Sequence, residues 1–251
     1  MDCRNIIVAD NFPQSFESSN IQIPDGMYAD FEKLNSSKFA LVLKVNTRFN
    51  SKVYSIILKR YFLRNISDFF KSIFLPSRAE RAYKAGQMLL ENGFLTPPAV
   101  AYSKKFLMTM EVRESTQIFN LLRTLPPEKK KNMIEQFAIA VGKMHDKGIF
   151  HGDLRIGNIL VKENNENFEF YLIDNERTKK FDNIPWRLRI KNLVQLNMHK
   201  NNVDESERKL FFDIYLTQQS KPVDARKLAE AVIAKTNKRL EDKIKTTNER
   251  E

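Results

Sequence analysis

Two apolar runs open the readable part of the chain. Phe39-Ala-Leu-Val-Leu-Lys-Val45 and Val53-Tyr-Ser-Ile-Ile-Leu-Lys-Arg-Tyr61 are rich in β-branched and aromatic residues, which predicts an antiparallel strand pair. The polar segment Asn46 to Lys52 reads as the turn between them. A helix is predicted from Arg78 to Asn92. Ser77 is placed to cap it, with Glu80 at the capping-box position and Ala82, Ala85 and Leu89 facing inward beside Tyr83 and Met88. Asn92-Gly93 suits a helix C-terminus, and Thr96-Pro97-Pro98 breaks regular structure. A second strand pair follows, Ala99 to Tyr102 and Phe106 to Val112.

The periodicity then becomes helical. Ile118 to Leu125 is a short helix, and Glu128 to Lys147 a longer one, with Met133, Phe137, Ala140, Val141 and Met144 near helical spacing. Gly148 ends it. Ile159 to Val161 and Phe168 to Ile173 read as a strand pair around the polar loop Glu163 to Asn167. Helices are predicted for Ile190 to Asn197, Glu205 to Leu216 and Val223 to Leu240, with a charged, solvated tail from Glu241. Strands with one helix therefore precede helices with one inserted hairpin. This order predicts an α+β chain of two lobes, 1–111 and 112–251, with a cleft between them as the ligand site.

Composition narrows the setting. A hydrophobic content of 42% with 19 Phe supports a packed core. The single cysteine, Cys3, excludes an internal disulfide framework and a multi-cysteine zinc site. The first ten residues lack the features of a secretory signal, and no run approaches the roughly 18 apolar residues of a membrane span. A cytoplasmic protein is expected. The formal charge of +11 is uneven: Arg48 to Lys84 holds nine basic residues against two acids, and Arg177 to Lys191 holds six against Asp182. Such a field attracts nucleotide phosphates, nucleic acid or an anionic membrane, or is simply a solvated basic surface. No nucleic-acid recognition motif accompanies it, so no nucleic-acid partner is expected.

The chemistry concentrates in His151-Gly-Asp-Leu-Arg-Ile-Gly-Asn158. Asp153 and Asn158 share a loop between a helix and a short strand, and Asp174 follows at the end of the apolar run Phe170 to Ile173. Phosphoryl transfer uses such parts. One carboxylate orients a hydroxyl or takes its proton, while an amide and a second carboxylate hold a magnesium ion on the phosphates.

The loop His-Gly-Asp-Leu-x-x-x-Asn-Ile-Leu, with its lead-in Met144-His-Asp-Lys-Gly-Ile-Phe150, resembles the catalytic loop of the protein-kinase-like superfamily. The resemblance implies a bilobal fold with a small antiparallel-sheet N-lobe and a larger helical C-lobe. It makes Asp153 the catalytic base and Asn158 and Asp174 the Mg²⁺ ligands. Lys59 becomes the lysine on the ATP phosphates, and Met110-Glu111-Val112 the hinge whose backbone pairs with adenine. Asp174-Asn-Glu-Arg177 stands where typical protein kinases carry Asp-Phe-Gly, which argues against an ordinary member of that group. Related small kinases place the lysine's glutamate partner where this chain has Ala82. Glu80 lies two residues away, about 200° around a helix; an offset helix, Glu91 or water is the alternative support. Asn46 to Lys52 has no glycine for a phosphate cradle, so Arg48 and Lys52 would supply charge.

Within the superfamily the chain looks like the lipopolysaccharide core kinases. The likeness rests on Leu58-Lys-Arg-Tyr61, Ser77-Arg-Ala79, Leu89 to Pro97, Ile173-Asp-x-x-Arg177, Lys191-Asn-Leu-Val-Gln-Leu196 and Tyr215-Leu216. It implies an ATP-dependent kinase acting on a Kdo or heptose hydroxyl of the inner core, with the basic face toward anionic glycolipid at the inner leaflet. The competing readings are an atypical Ser/Thr protein kinase and a nucleotide-binding pseudokinase scaffold.

The remaining residues have plainer readings. His151 is expected to brace the backbone, and His145 and His199 to be ordinary helix residues. Trp186 is expected as a packing anchor rather than a sugar platform. Asp68 to Pro76 can dock a membrane or pack on the small lobe; short apolar runs favour the core. The Arg177 to Lys191 cluster is the better candidate for recognising an anionic sugar or phosphate.

Overall fold

The computed structural model describes residues 7–8, 31–36, 39–49, 52–62, 75–199 and 202–248. These form two compact units, Met1–Leu90 with Thr96–Arg113, and Glu91–Leu95 with Glu114–Glu251.

The first unit is built on an antiparallel sheet. Its strands are β1 (Ile7–Val8), β2 (Phe31–Leu34), β3 (Ala40–Phe49), β4 (Lys52–Tyr61), β5 (Ala99–Tyr102) and β6 (Phe106–Met110), in the order β1-β5-β6-β4-β3-β2. Leu43, Ile56, Leu58, Val100, Ala101, Phe106 and Met108 form its core cluster. The β3–β4 hairpin is longer than expected. Asn46 pairs with Ser55 and Phe49 with Lys52, so most of the anticipated polar turn is strand. Thr47, Phe49, Val53 and Tyr54 are strand formers, so the ladder runs on to the Phe49–Lys52 pair. Residues 50–51, the side chains of Arg48 and Lys52, and the run Asp68 to Phe74 lie outside the described residues, as does Cys3.

Helix α1 (Arg78–Glu91) starts where its cap predicts: Ser77 Oγ accepts the Glu80 N–H at 3.1 Å. It buries Ala79, Ala82, Ala85 and Leu89, a mostly small face that allows close packing.

The second unit holds α2 (Ile118–Thr124), α3 (Pro127–Asp146), α4 (Trp186–Asn197), α5 (Glu205–Thr217) and α6 (Ala225–Asn248). Its strands are β7 (Ser115–Gln117), β8 (Ile149–Phe150), β9 (Ile159–Asn164), β10 (Asn167–Leu172) and β11 (Lys179–Lys180); β10-β9-β7 form one sheet and β11-β8 another. Glu91–Leu95 joins this unit because Leu95 bridges Tyr171 and accepts the Leu172 N–H at 2.9 Å. The buried stripe of α3 takes Ile134, Ala138 and His145 as well as the expected residues, whereas Ala140 is only half-buried. Gly148 closes α3 at φ 74°, and a Cβ there would stand 1.8 Å from the Phe181 carbonyl oxygen. No L side chain fits.

Three further expectations need correction. His199 is not a helix residue; it lies beyond the end of α4 at Asn197. Trp186 is 39% exposed and does not anchor the core. It stands at the first position of α4, one turn outside the buried Ile190, Leu193 and Val194. The charged stretch from Glu241 is exposed through Thr246 as expected, but the helix does not end at Leu240: α6 continues to Asn248, because its lysines and glutamate are good helix formers even when exposed.

Candidate active site

The loop bearing Asp153 grows out of a buried strand. β8 pairs with β11 through Phe150↔Lys179, and His151 then enters the core with no exposed surface. At Gly152 the chain passes so close to the Asn175–Arg177 turn that a Cβ would lie 2.1 Å from Arg177 Cβ and 2.6 Å from its carbonyl oxygen. The glycine in His-Gly-Asp is therefore a steric requirement of this neighbouring turn.

A buried polar assembly holds the loop from behind. Asn192 of α4 donates to the His151 carbonyl at 2.6 Å and accepts the His151 N–H at 3.2 Å. Gln195, one turn on, accepts from the Leu154 N–H at 3.3 Å and from Asn192 Nδ2 at 3.0 Å. His145 sits within hydrogen-bond distance of Asn192 Oδ1 (3.2 Å) and of the Tyr215 hydroxyl (3.0 Å), which also accepts from Arg189 at 2.5 Å. Burial pushes the His145 imidazole down to about 3, the bond to Asn192 opposing it only in part, so the ring is neutral. Burial likewise pushes the Tyr215 phenol up to about 12. Every group in the assembly is satisfied without a net charge except Arg189.

His151 bonds as expected. Its Nε2 lies 3.1 Å from the Ile173 carbonyl and 3.0 Å from Asn175 Oδ1, and its Nδ1 accepts the Asp153 N–H at 3.3 Å. Burial is the largest influence on this ring and holds its pKa below the ordinary value, against the hydrogen bond to Asn175. It therefore joins the loop to the end of β10.

On that frame stand the three residues singled out from the sequence. Asp153 Oδ1 accepts from Gln195 Nε2 at 3.1 Å and from Arg155 Nε at 2.7 Å. Asn158 Nδ2 donates to the Asp153 carbonyl at 2.9 Å, which fixes the orientation of its amide. The Asn158 carbonyl accepts the Ile173 N–H at 3.0 Å, continuing the β9–β10 register beyond Leu172↔Ile159. Asp174 follows at once, exposed, in left-handed backbone geometry (φ 64°, ψ 42°) that aspartate tolerates better than most residues. An amide oxygen and a carboxylate thus occupy adjoining strand ends, a donor set that suits a hard divalent cation whose shell phosphates and water complete.

The other predicted residues belong to the first unit. Lys59, on β4 between Val42 of β3 and Leu107 of β6, projects on the same face as Tyr61, with Nζ 5.4 Å from that ring. Arg78 of α1 covers the same ring at 4.7 Å. Glu80 is held by Lys84, one turn along the helix, at 2.7 Å. Ala82 points into the core, and Glu91, which belongs to the second unit, is exposed. Glu111 leaves β6 with its N–H on the Ser55 carbonyl (2.9 Å) and its carboxylate on Lys44 (2.6 Å). Burial works to raise that carboxyl, but the Lys44 hydrogen bond and charge win and hold it below the usual range. Val112 follows outside any strand.

A family model now bears on the chain. That of the lipopolysaccharide kinase (Kdo/WaaP) family matches residues 45–215, more than half of its length. The chain belongs to this family. It is 29% identical over 136 residues to the lipopolysaccharide core heptose(I) kinase WaaP of Pseudomonas aeruginosa, covering 47% of this chain and 51% of that protein. It is 32% identical over 72 residues to the KEOPS complex subunit Bud32 of Pyrococcus abyssi, covering 29% and 31% respectively. The chain thus spans about half or less of the curated relatives it matches. Among solved structures, WaaP in complex with acyl carrier protein superposes with a TM-score of 0.61 at 21% identity, over 82% of this chain and 88% of that one. The Rio2 kinase of Chaetomium thermophilum, in an ADP/Mg²⁺-phosphoaspartate complex, gives 0.54 at 17% identity over 81% and 70%. The expected α+β kinase-like fold is borne out.

Sequence reasoning passed over the backing residues. Lys191 to Leu196 entered only as a family likeness, yet Asn192 and Gln195 from that run hold the loop. The usable signal was two carboxamides at i and i+3 on a helix face shared with Leu193 and Val194.

Proposed function

We propose that the chain is an ATP-dependent kinase that phosphorylates a Kdo or heptose hydroxyl of the lipopolysaccharide inner core. Asp153 orients the acceptor hydroxyl and takes its proton. Asn158 and Asp174 hold Mg²⁺, which neutralises charge on the phosphates. Lys59 anchors the α- and β-phosphates, with Glu80 the acid of the adjoining helix, and the backbone of Glu111 and Val112 receives the adenine. The first unit would serve the nucleotide and the second the acceptor, with the exposed Lys179, Lys180, Arg187 and Lys191 drawing in an anionic glycolipid. Among the described residues no helix is long and apolar enough to cross a membrane. Action in the cytoplasm, at the inner face of the cytoplasmic membrane, fits the proposed acceptor.

The observation that carries this reading is the joining of the Asp153–Asn158 loop to the β10 end bearing Asp174, through the Asn158 carbonyl and the His151 ring. Mass spectrometry of lipid A–core from strains with and without the gene tests the acceptor. One phosphate fewer in the deletion strain is expected; an unchanged phosphate count sinks the assignment.

A second reading is a small atypical kinase acting on Ser or Thr, supported by the fold shared with Rio2 kinase. In that case the core phosphate count stays constant and a protein loses phosphate instead. A pseudokinase scaffold draws on the buried Ala82 and the Glu80–Lys84 pair. Equal ATP turnover with Mg²⁺ in wild type and Asp153→Ala would show that Asp153 is not the catalytic residue, and no turnover in either is the result the scaffold reading expects.

A further inference from the structure

Asp153 is held unevenly. Among the described residues, both donors to its carboxylate converge on Oδ1, and one of them, Gln195, is 4% exposed. Arg155, the other donor, has a side chain 57% exposed and can swing into solvent. Gln195 cannot. Its Oε1 accepts two hydrogen bonds, from the Leu154 N–H and from Asn192 Nδ2, so the amide has one orientation. Asn192 is oriented in turn by donating to the His151 carbonyl and accepting the His151 N–H. The chain of assignments ends with Gln195 Nε2 aimed at Asp153 Oδ1.

We propose that Gln195 is a positioning residue that occupies Oδ1 and so makes Oδ2 of Asp153 the oxygen that meets the acceptor hydroxyl. This rests on the reading of Asp153 as the proton acceptor. In that step the hydroxyl oxygen bonds to the γ-phosphorus as its proton passes to Oδ2. The bond from the γ-phosphorus to the bridging oxygen breaks, and its electrons leave with ADP. A carboxylate rotating between two equivalent oxygens would spend part of its time misaligned, and small misplacements of a reacting group are costly in rate. Gln195 removes that freedom from a rigid helix, without adding charge to the site.

Gln195→Glu separates this role from simple packing. It keeps an oxygen where Leu154 and Asn192 donate and replaces the N–H that faces Asp153 with a second carboxylate oxygen, and Gln195→Met removes the N–H without that charge. Phosphate transfer is measured from ATP and Mg²⁺ to deacylated inner-core oligosaccharide, alongside Gln195→Met and Asp153→Asn, with circular dichroism to establish folding. For Gln195→Glu, kcat is expected to fall about 10- to 100-fold while KM for ATP changes less than about threefold. Gln195→Met, uncharged and of similar volume, shows the same split and decides the question if the glutamate variant does not fold. A wild-type kcat in either folded variant, or a loss shared equally between kcat and KM, overturns the proposal. Asp153→Asn tells the two ideas apart. If it is inactive while the Gln195 variants are normal, only the positioning role falls. If it turns over like wild type, or if wild type transfers nothing, the reading of Asp153 falls and takes this one with it.

Discussion

The loop around Asp153 and the strand face around Lys59 are held by different physics. The loop rests on His151, Asn192, Gln195 and His145, all buried and bonded to one another or to backbone. In the first unit the charged groups are secured at the surface, Glu80 by Lys84 and Glu111 by Lys44. Buried polar groups are expensive to orphan, so such an assembly admits few arrangements. Exposed ion pairs contribute little and re-form readily with other partners. One region is therefore specified by its interior, the other by the sheet that carries it.

Breaking the chemistry of the loop is expected to have the largest effect. Asp153→Ala should lower kcat about 10²- to 10⁴-fold, the range for losing a general base, with the urea midpoint unchanged. Phosphate-transfer kinetics beside urea unfolding check both halves. A fall in stability of comparable size would make Asp153 a structural residue.

Breaking the backing comes next. Asn192→Leu removes the partners of the His151 N–H and carbonyl, both buried, and is expected to cost about 2–5 kcal/mol in urea unfolding. Gly152→Ala forces a Cβ against Arg177 and should destabilise by about 2 kcal/mol or more. If either unfolds at the wild-type midpoint, the backing is looser than its hydrogen bonds imply.

Acid probes the same contrast more gently. His145 and His151 are neutral in the folded chain with pKa values below those of the unfolded chain. The unfolded chain therefore binds more protons as pH falls. The stability is fully present above the unfolded value near 6.5 and is lost as pH drops toward the folded values, about 3 for His145. Each ring is expected to remove about 1.4 kcal/mol per pH unit within that window. Urea unfolding at pH 7, 6 and 5 should show this slope, and His145→Gln should reduce it.

The surface pairs mark the small end. Glu80→Gln should leave the urea midpoint in place, whereas Lys59→Met should raise KM for ATP at least about tenfold. A large effect of Glu80→Gln would mean that the first unit is more tightly specified than its ion pairs suggest.

The sequence carried much of this in advance. Helix α1 begins at the cap read from Ser77 and Glu80, and Gly148 ends α3. His151 braces the backbone through the bonds expected of it. The misreadings share a cause. Asn46 to Lys52 looked like a turn because its residues are polar, yet ladder pairing carried the strands to Phe49 and Lys52. Trp186 looked buried because tryptophan usually is, and the position of the helix end decided otherwise.

The amino-acid sequence by itself determined the family and the order of the main elements, because periodicity and motif spacing are local properties. Only the tertiary structure decided what holds the residues around Asp153. Asn192 and Gln195 lie some forty positions from the loop they support, and Arg177 lies twenty-five from the glycine it passes. Hydrogen bonds between buried groups depend on which helix face meets which loop. That is settled by packing, after the local pattern has done its part.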